Sequence, residues 1–297
     1  MPHDFCLAHL TDPHLSCPIP DHWRQLANKR ILGFLSWQLK RRHEHRPEVL
    51  QALLADLRRQ HPDHTVITGD LTQLGLPGEC RQAAAWLKEL GGSEKLSVIP
   101  GNHDRYVAES WTATLGLWQP YFHLSPGQPF PFLHRCGPLA LIGMDSAPPS
   151  PPLMATGTLG DAQCQRLARL LSQNRDRCRI VLLHHPVHAE AIAARKRLTD
   201  SDRFIHLLQQ HGCGMVLHGH SHRWQLHWLN GPKTPIPVIG LPSASARGRR
   251  RGYRARYHLY YFRRHAQGWH VAVKIRGLDP VSHRFQPEGE WGFSVAG

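Results

Sequence analysis

The chain has 297 residues, of which 41% are hydrophobic, with a mean hydropathy of −0.42 and a formal charge of +14. These values predict a soluble protein with one domain over residues 1–297. The sequence contains no run of about 18 apolar residues, so no membrane-spanning helix is expected. The positive charge favours a polyanionic partner: nucleic acid, an anionic membrane surface or a phosphorylated substrate.

Predicted helices alternate with the early predicted strands. Short apolar runs predict strands at 5–10, 65–68, 96–99, 139–144, 180–183, 215–217, 238–241, 258–262 and 269–275. Amphipathic patterns predict helices at 47–60, 79–90, 161–172 and 202–210, and proline-rich loops are predicted at 126–131 and 148–152. Helices interleaved with strands, followed by a strand-rich end, predict an α/β protein with layered sheets covered by helices.

Cysteine and histidine usage adds two expectations. The seven cysteines are scattered and form no CxxC pair, which predicts reduced thiols in a cytosol. No signal peptide is predicted at the start of the chain. We therefore expect a cytoplasmic protein, with the inner face of the membrane as a further location. The 24 histidines direct attention to clusters, because histidine is the commonest metal ligand among side chains.

Polar residues that can bind metals follow five predicted strands, at the point where each strand ends. They are Asp12 and His14, then Asp70, then Asn102, His103 and Asp104, then His184 and His185, and finally His218, His220 and His222. Each group alone is typical of a turn or a polar loop. Ligands of open α/β sheets bind outside the carboxyl ends of the strands, so five groups together predict one metal site. Residues two apart in an extended segment also project to the same side.

The ordered motifs DPH, GD, GNHD, HHP and GHSH resemble those of the calcineurin-like metallophosphoesterase superfamily, and they extend from Asp12 to His222. The resemblance implies a four-layer α/β/β/α sandwich of two mixed sheets flanked by helices. It also implies a hydrolase that cleaves a phosphodiester or pyrophosphate bond with a water held between two divalent cations.

The resemblance further implies a role for each motif residue. One cation would be bound by Asp12, His14, Asp70 and His222, and the other by Asp70, Asn102, His184 and His220. Asp70 would bridge the two. His103 would be the catalytic histidine that donates to a phosphoryl oxygen or the leaving group, and Asp104 would orient it. His185 and His218 match no ligand position and are interpreted as neighbouring pocket residues. Carboxylate, amide and imidazole ligands favour Mn²⁺, with Fe or Zn²⁺ as alternatives.

Three other features bear on the substrate. Segment 21–46, the insertion, mixes apolar and basic residues directly after the first motif. It suits a membrane interface or an acyl-chain pocket, and equally a core-packing helix with a solvated basic face. Arg105, directly after GNHD, is predicted to contact the anionic phosphoester. Segment 246–256 either binds an anionic group or, as we prefer, forms a solvated hairpin tip. It contains Arg247, Arg249, Arg250, Arg251, Arg254 and Arg256.

Three kinds of function remain open from the sequence. The first is a phosphodiesterase or pyrophosphohydrolase. Its substrate would be a UDP-diacylglucosamine-type precursor of lipid A, with peripheral association at an anionic membrane, or alternatively a cyclic nucleotide such as cAMP. A nuclease is disfavoured because no added DNA-binding region is visible, so no stable nucleic-acid partner is expected. A non-catalytic scaffold is disfavoured because all seven ligand positions are filled.

Overall fold

The structure is a computed structural model that describes residues 4–15, 18–125, 127–188, 192–248 and 250–296. Three residues named in the sequence-based expectations lie outside the described residues. They are Cys17 among the cysteines, Pro126 in the first proline-rich loop, and Arg249 in the arginine-rich segment.

Two mixed six-stranded sheets form the centre of the fold. Their strands are β1 (Phe5–Leu10), β2 (His64–Ile67), β3 (Leu96–Val98), β4 (Phe132–Cys136), β5 (Leu139–Gly143), β6 (Cys178–Leu182), β7 (Met215–His218), β8 (Gln225–Leu229), β9 (Ile236–Gly240), β10 (Arg256–His265), β11 (Gly268–Leu278) and β12 (Phe285–Ala296). The strand order is β12-β11-β10-β1-β2-β3 in one sheet and β4-β5-β6-β7-β9-β8 in the other. Strands β1, β2 and β3 run parallel, as do β5, β6, β7 and β9.

The described residues form six α-helices. They are α1 (Arg30–Ser36), α2 (Arg42–Glu44), α3 (Pro47–Gln60), α4 (Pro77–Leu90), α5 (Gly160–Gln173) and α6 (Ser201–His211). The leucines of α3 pack with the first sheet in one large core, which also fills the space between the sheets. Leucines of α5 and α6 pack with the outer face of the second sheet in a separate core. The predicted layered α/β fold of two mixed sheets flanked by helices is confirmed.

All nine predicted strands and all four predicted helices are present, with small shifts at their ends. Strands β4, β8 and β12 were not predicted. Each of these strands lies at the edge of a sheet with one face towards solvent. Polar residues therefore alternate with the apolar ones, and no continuous apolar run marks the strand. Helix α4 begins two residues earlier than predicted, at Pro77, where the Glu79 carboxylate accepts the backbone N–H of Leu76 at 3.0 Å.

The insertion is mostly helical and presents apolar side chains to solvent. It contains a 3₁₀ turn (Trp23–Leu26), α1, a π-helical turn (Trp37–Arg41) and α2. Trp23 and Leu39 are each 74% exposed, whereas Arg30 is 1% exposed and pairs with Glu109 at 2.7 Å. A core-packing helix would have the reverse arrangement, so that alternative is wrong for this part of the chain. No helix in the described ranges has the length and apolarity needed to cross a bilayer.

Candidate dinuclear metal centre

The motif residues meet because the parallel strands that precede them end at the same side of the fold. Asp12 follows β1, Asp70 follows β2, and Asn102 follows β3. From the second sheet, His184 follows β6 and His220 follows β7. Parallel strands place their carboxyl ends together, so residues far apart in the chain become neighbours here.

Six of the seven predicted ligands form two overlapping groups. The ligand atoms of the first group lie within 4.8 Å of one another, and so do those of the second. The first group is Asp12, His14, Asp70 and His222, and the second is Asp70, His184 and His220. The seventh residue, Asn102, has its Oδ1 atom 3.2 Å from Nε2 of His184. The structure therefore brings all seven together, with Asp70 common to both groups.

The carboxylate of Asp70 has one oxygen committed to the protein and one directed to the cluster. Its Oδ1 atom accepts the backbone N–H of His103 at 2.7 Å. Its Oδ2 atom lies 3.2 Å from Nε2 of His184 and 4.0 Å from Nε2 of His14. Because these two histidines belong to different groups, Oδ2 occupies the position expected of a bridging oxygen.

Backbone carbonyls fix the orientation of two of the imidazoles. The Nδ1 atom of His14 lies 3.0 Å from the carbonyl oxygen of Thr72, and Nδ1 of His184 lies 2.7 Å from that of Thr68. A carbonyl only accepts, so Nδ1 carries a proton in each ring, and in the neutral ring Nε2 has the lone pair. In both rings Nε2 faces the cluster, which is the usual arrangement of a metal-binding histidine.

Backbone conformation marks the same residues. Nine non-glycine residues in the described part of the chain have a positive φ, and five are predicted ligands. These five are Asp12, His14, Asp70, His220 and His222, with φ between 45° and 65°. This left-handed region is unfavourable for residues with a Cβ atom, and such strain concentrates at functional sites. Gly69 has a φ of 93°, and a Cβ atom there would lie 2.7 Å from Nδ1 of His184.

Two buried polar atoms of the cluster, Oδ2 of Asp70 and Nε2 of His220, have no hydrogen-bond partner among the described residues. Leaving such atoms without a partner costs about 1–3 kcal/mol each. Burial opposes the charged form of His184, but the adjacent Asp70 carboxylate outweighs it and raises the His184 pKa to about 9. Burial likewise opposes ionisation of Asp70, yet His184 and His103 hold its pKa well below the usual range. Anionic and orphaned donor atoms at one point fit divalent cations.

The ring of His103 lies beside the cluster but is oriented by a different group from the one expected. Its Nδ1 atom lies 2.6 Å from the carbonyl oxygen of Gln73. The Asp104 carboxylate instead accepts the backbone N–H groups of Thr72 and Gly101, each at 2.9 Å. Asp104 therefore fixes the backbone around Thr72 and Gly101. The expected hydrogen bond between Asp104 and the His103 ring is not present among the described residues. Burial and then the nearby Asp70 charge raise the pKa of Asp104 to about 7.

Arg105 differs from its expectation. It forms an ion pair with Asp145, and both residues line a separate cavity of about 470 Å³. Arg105 is not among the described residues that line the cavity over the cluster. The ion pair with Asp145 directs the Arg105 side chain to this second cavity. The position of Arg105 after the GNHD motif could not indicate that contact.

The large cavity over the cluster has a volume of about 1110 Å³ and contains residues that sequence reasoning missed. Three of them are Arg41 and His45 from the insertion and Lys196 from a 3₁₀ turn (Ala194–Lys196). The ring of His45 lies 4.3 Å from that of His14, and its Nδ1 atom is 3.1 Å from Oγ of Ser245. These residues lie outside every motif, and their position at the cavity depends on how the chain folds.

His185 and His218, interpreted as pocket residues, are both buried behind the cluster. The ring of His185 lies 4.5 Å from that of His220, and its Nδ1 atom is 2.9 Å from Oγ of Ser146. Nδ1 of His218 is 3.2 Å from the carbonyl oxygen of Gly219. Neither is among the described residues lining the large cavity, so both support the site from behind.

A further grouping of possible ligands lies between the sheets, away from this centre. It contains His64, His134 and Cys136. Both nitrogens of His64 have partners, since Nε2 lies 2.8 Å from Oγ of Ser97 and Nδ1 lies 3.3 Å from the carbonyl oxygen of Glu94. Hydrogen bonding within the protein accounts for His64, unlike the orphaned atoms of the main cluster.

The layered fold and the paired ligand groups define the class of protein. The chain belongs to the calcineurin-like phosphoesterase family, whose model matches residues 7–224. Enzymes of this family depend on two metals, and the structure supplies candidate ligands for them. The predicted family and the predicted class of metal-dependent phosphoesterase are confirmed.

Two individual proteins illustrate the similarity. A probable cyclic nucleotide phosphodiesterase of Synechococcus sp. is 26% identical over 175 residues, which cover 58% of this chain and 62% of the relative. The match thus spans less than two thirds of that relative's length. A purple acid phosphatase from yellow lupin (Lupinus luteus) shares the fold, with a TM-score of 0.61 at 10% sequence identity. That similarity covers 98% of this chain and 53% of the lupin chain.

Proposed function

We propose that this phosphoesterase hydrolyses a phosphodiester or pyrophosphate bond over the cluster, with all seven predicted ligands holding two divalent cations. The observation that carries the proposal is the position of Asp70 Oδ2, between His184 at 3.2 Å and His14 at 4.0 Å. Two divalent cations at such a site lower the pKa of water and neutralise phosphoryl oxygens. Mn²⁺ is our preferred metal, since every ligand is a carboxylate, an amide or an imidazole.

His103 is the residue best placed to act on the leaving group. Burial, and then the charge of Arg41, lower the His103 pKa to about 4, so the free ring is neutral at neutral pH. With Nδ1 donating to Gln73, the ring offers Nε2 as an acceptor. An anionic phosphoryl group in the cavity favours the protonated ring, and Nε2 can then donate to the departing oxygen.

A lipid-linked substrate of the UDP-diacylglucosamine type is our first candidate. Leu39 of the insertion lines the cavity and is 74% exposed, and Leu278 and Pro280 line it as well. An acyl chain would cover the exposed side chains of Leu39 and Pro280, while basic residues of the insertion would approach anionic headgroups. On this proposal the protein works in the cytoplasm, at the inner face of an anionic membrane.

A cyclic nucleotide is the second candidate, and one observation favours it. The Synechococcus relative is named as a probable cyclic nucleotide phosphodiesterase, and its match covers 58% of this chain. Such a substrate is small and needs neither the exposed apolar residues of the insertion nor the full cavity volume.

A substrate panel with Mn²⁺ tests these proposals. Wild-type protein is supplied with UDP-diacylglucosamine in detergent micelles, with cyclic AMP, and with single-stranded DNA, and products are separated by chromatography. We expect chelator-sensitive hydrolysis of the lipid-linked diphosphate. Turnover of cyclic AMP alone would favour the second candidate, and degradation of DNA alone would contradict both.

A further inference from the structure

Arg41 reaches the cavity with most of its hydrogen-bonding capacity unused. It is half-buried, and its Nη2 atom donates to the carbonyl oxygen of Gly33 at 2.9 Å. Its Nη1 atom lies 2.9 Å from Nδ1 and 3.1 Å from Nε2 of His103, and Nε2 is the nitrogen left free by Gln73. The Nε atom has no hydrogen-bond partner, and no described carboxylate forms an ion pair with this guanidinium. Three of the five N–H groups therefore remain for a ligand.

Lys196 is a second cation on the same cavity, and it has no acidic partner among the described residues. It ends the 3₁₀ turn Ala194–Lys196, is half-buried, and lines the cavity together with Ala155. Within the described ranges its ammonium forms no ion pair and no hydrogen bond with the protein. Burial, then Arg195, lower its pKa, and the Asp12 and Asp70 carboxylates oppose that shift. Lys196 therefore lies within the electrostatic reach of the cluster without contacting it.

The charges on the cavity wall are strongly unbalanced. Five cationic residues and two carboxylates line it among the described residues. The cationic residues are Lys40, Arg41, Lys196, Arg247 and Arg254, and the carboxylates are Glu44 and Asp70. The wall therefore carries a formal excess of three positive charges, before the cations proposed for the cluster are added. A phosphodiester carries one negative charge, whereas a diphosphate diester carries two and spreads them over two phosphoryl groups.

We propose that Arg41 and Lys196 form an anion-binding pair for a second phosphoryl group, so that the preferred substrates are diesters of diphosphate. This inference rests on the proposed function, because the first phosphoryl group is the one hydrolysed over the cluster. Arg41 suits the role, since a guanidinium binds two phosphoryl oxygens at once, and Lys196 adds a compact charge. The residues lie outside all five motifs, so they add selectivity without altering the metal ligands.

The test compares two substrates that differ by one phosphoryl group, the p-nitrophenyl ester of a nucleoside monophosphate and that of the matching diphosphate. Arg41→Gln and Lys196→Gln are measured with both, beside Arg42→Gln and Arg195→Gln as neighbours with the same charge change. A hydrogen bond to a charged group contributes about 1.5–3 kcal/mol. We therefore expect kcat/KM for the diphosphate ester to fall roughly 10- to 100-fold more than that for the monophosphate ester in each variant. Lys196→Gln should change the monophosphate reaction less than about threefold, whereas Arg41→Gln should also slow it, because Arg41 contacts His103.

Equal losses on both esters would overturn the proposal, because the pair would then hold the reacting group. Unchanged kinetics on the diphosphate ester would overturn it as well. A second readout needs no turnover: calorimetric titration of the metal-loaded proteins with a methylene-bridged diphosphate diester. We expect the Kd to rise roughly tenfold or more in each variant. If wild type cleaves neither ester but binds this analogue through Arg41 and Lys196, the proposed function fails and the anion site stands.

Discussion

The Oδ2 atom of Asp70 and the Nε2 atom of His184 lie 3.2 Å apart, both buried and both directed at the cluster. Without a cation between them the two groups attract each other, because the Asp70 carboxylate raises the pKa of His184. Two ligands of one cation have the same separation. The site should therefore be sensitive to removal of the negative charge of Asp70.

We expect Asp70→Asn to reduce turnover by at least about a thousandfold and to lower the bound metal below two equivalents, because it removes the shared charge. Metal content is measured by plasma mass spectrometry after gel filtration, and turnover with the preferred substrate. Asp176→Asn, at a carboxylate with 72% exposure, is the matched control. Two full equivalents of metal and near-normal rates in Asp70→Asn would contradict the ligand assignment.

His103→Gln separates chemistry from metal loading. The His103 ring lies outside both ligand groups, so we expect both metals to be retained while kcat falls roughly 100- to 10,000-fold, as for loss of an acid–base group. A substrate with a more acidic leaving alcohol should recover part of the loss, because it needs less protonation. Metal loss that parallels the loss of activity would instead make His103 a ligand.

The exposed apolar residues of the insertion predict contact with membranes. We expect Trp23→Ser combined with Leu39→Ser to weaken sedimentation with anionic phosphatidylglycerol vesicles by roughly tenfold, since both side chains are largely exposed. Trp228→Ser, on β8 and 47% exposed, is the control for general hydrophobicity. Equal binding of all three proteins would remove the membrane from the proposal.

The buried His64 should make the folded protein less stable at acidic pH. Burial and then His134 lower its pKa to about 3, whereas in the unfolded chain it titrates near about 6.5. The unfolded state binds the proton more tightly, so the stability is complete above about pH 6.5 and is lost as the pH falls towards about 3. At about pH 5 the loss from this one residue is about 2 kcal/mol.

Urea unfolding of wild type and His64→Gln at about pH 7.5 and about pH 5 measures this effect. The variant should be less stable at the higher pH, yet its stability should depend less on pH. His265→Gln, at an exposed histidine, should leave the pH dependence unchanged. A pH dependence in His64→Gln as steep as that of wild type would assign the acid sensitivity to other residues.

The sequence predicts the central strands and the ligand cluster well, for the same physical reason. Buried parallel strands are continuous apolar runs, and the residues after them, such as Asp12 and His184, share one edge of the fold. Arg41 and Lys196 could not be predicted, because their place depends on the paths of the insertion and of a 3₁₀ turn. The ion pair of Arg105 could not be predicted either, because its partner, Asp145, is 40 residues away in the chain.

Arg30 ties the insertion to the loop that follows Asp70. Its guanidinium donates to the carbonyl oxygens of Leu74 and Gly75, and the same loop supplies the Gln73 carbonyl that orients His103. A lipid or membrane that displaced the insertion would thus pull on the acid–base histidine as well as on Arg41. If the proposed docking at the insertion occurs, binding there and turnover at the cluster should therefore change together.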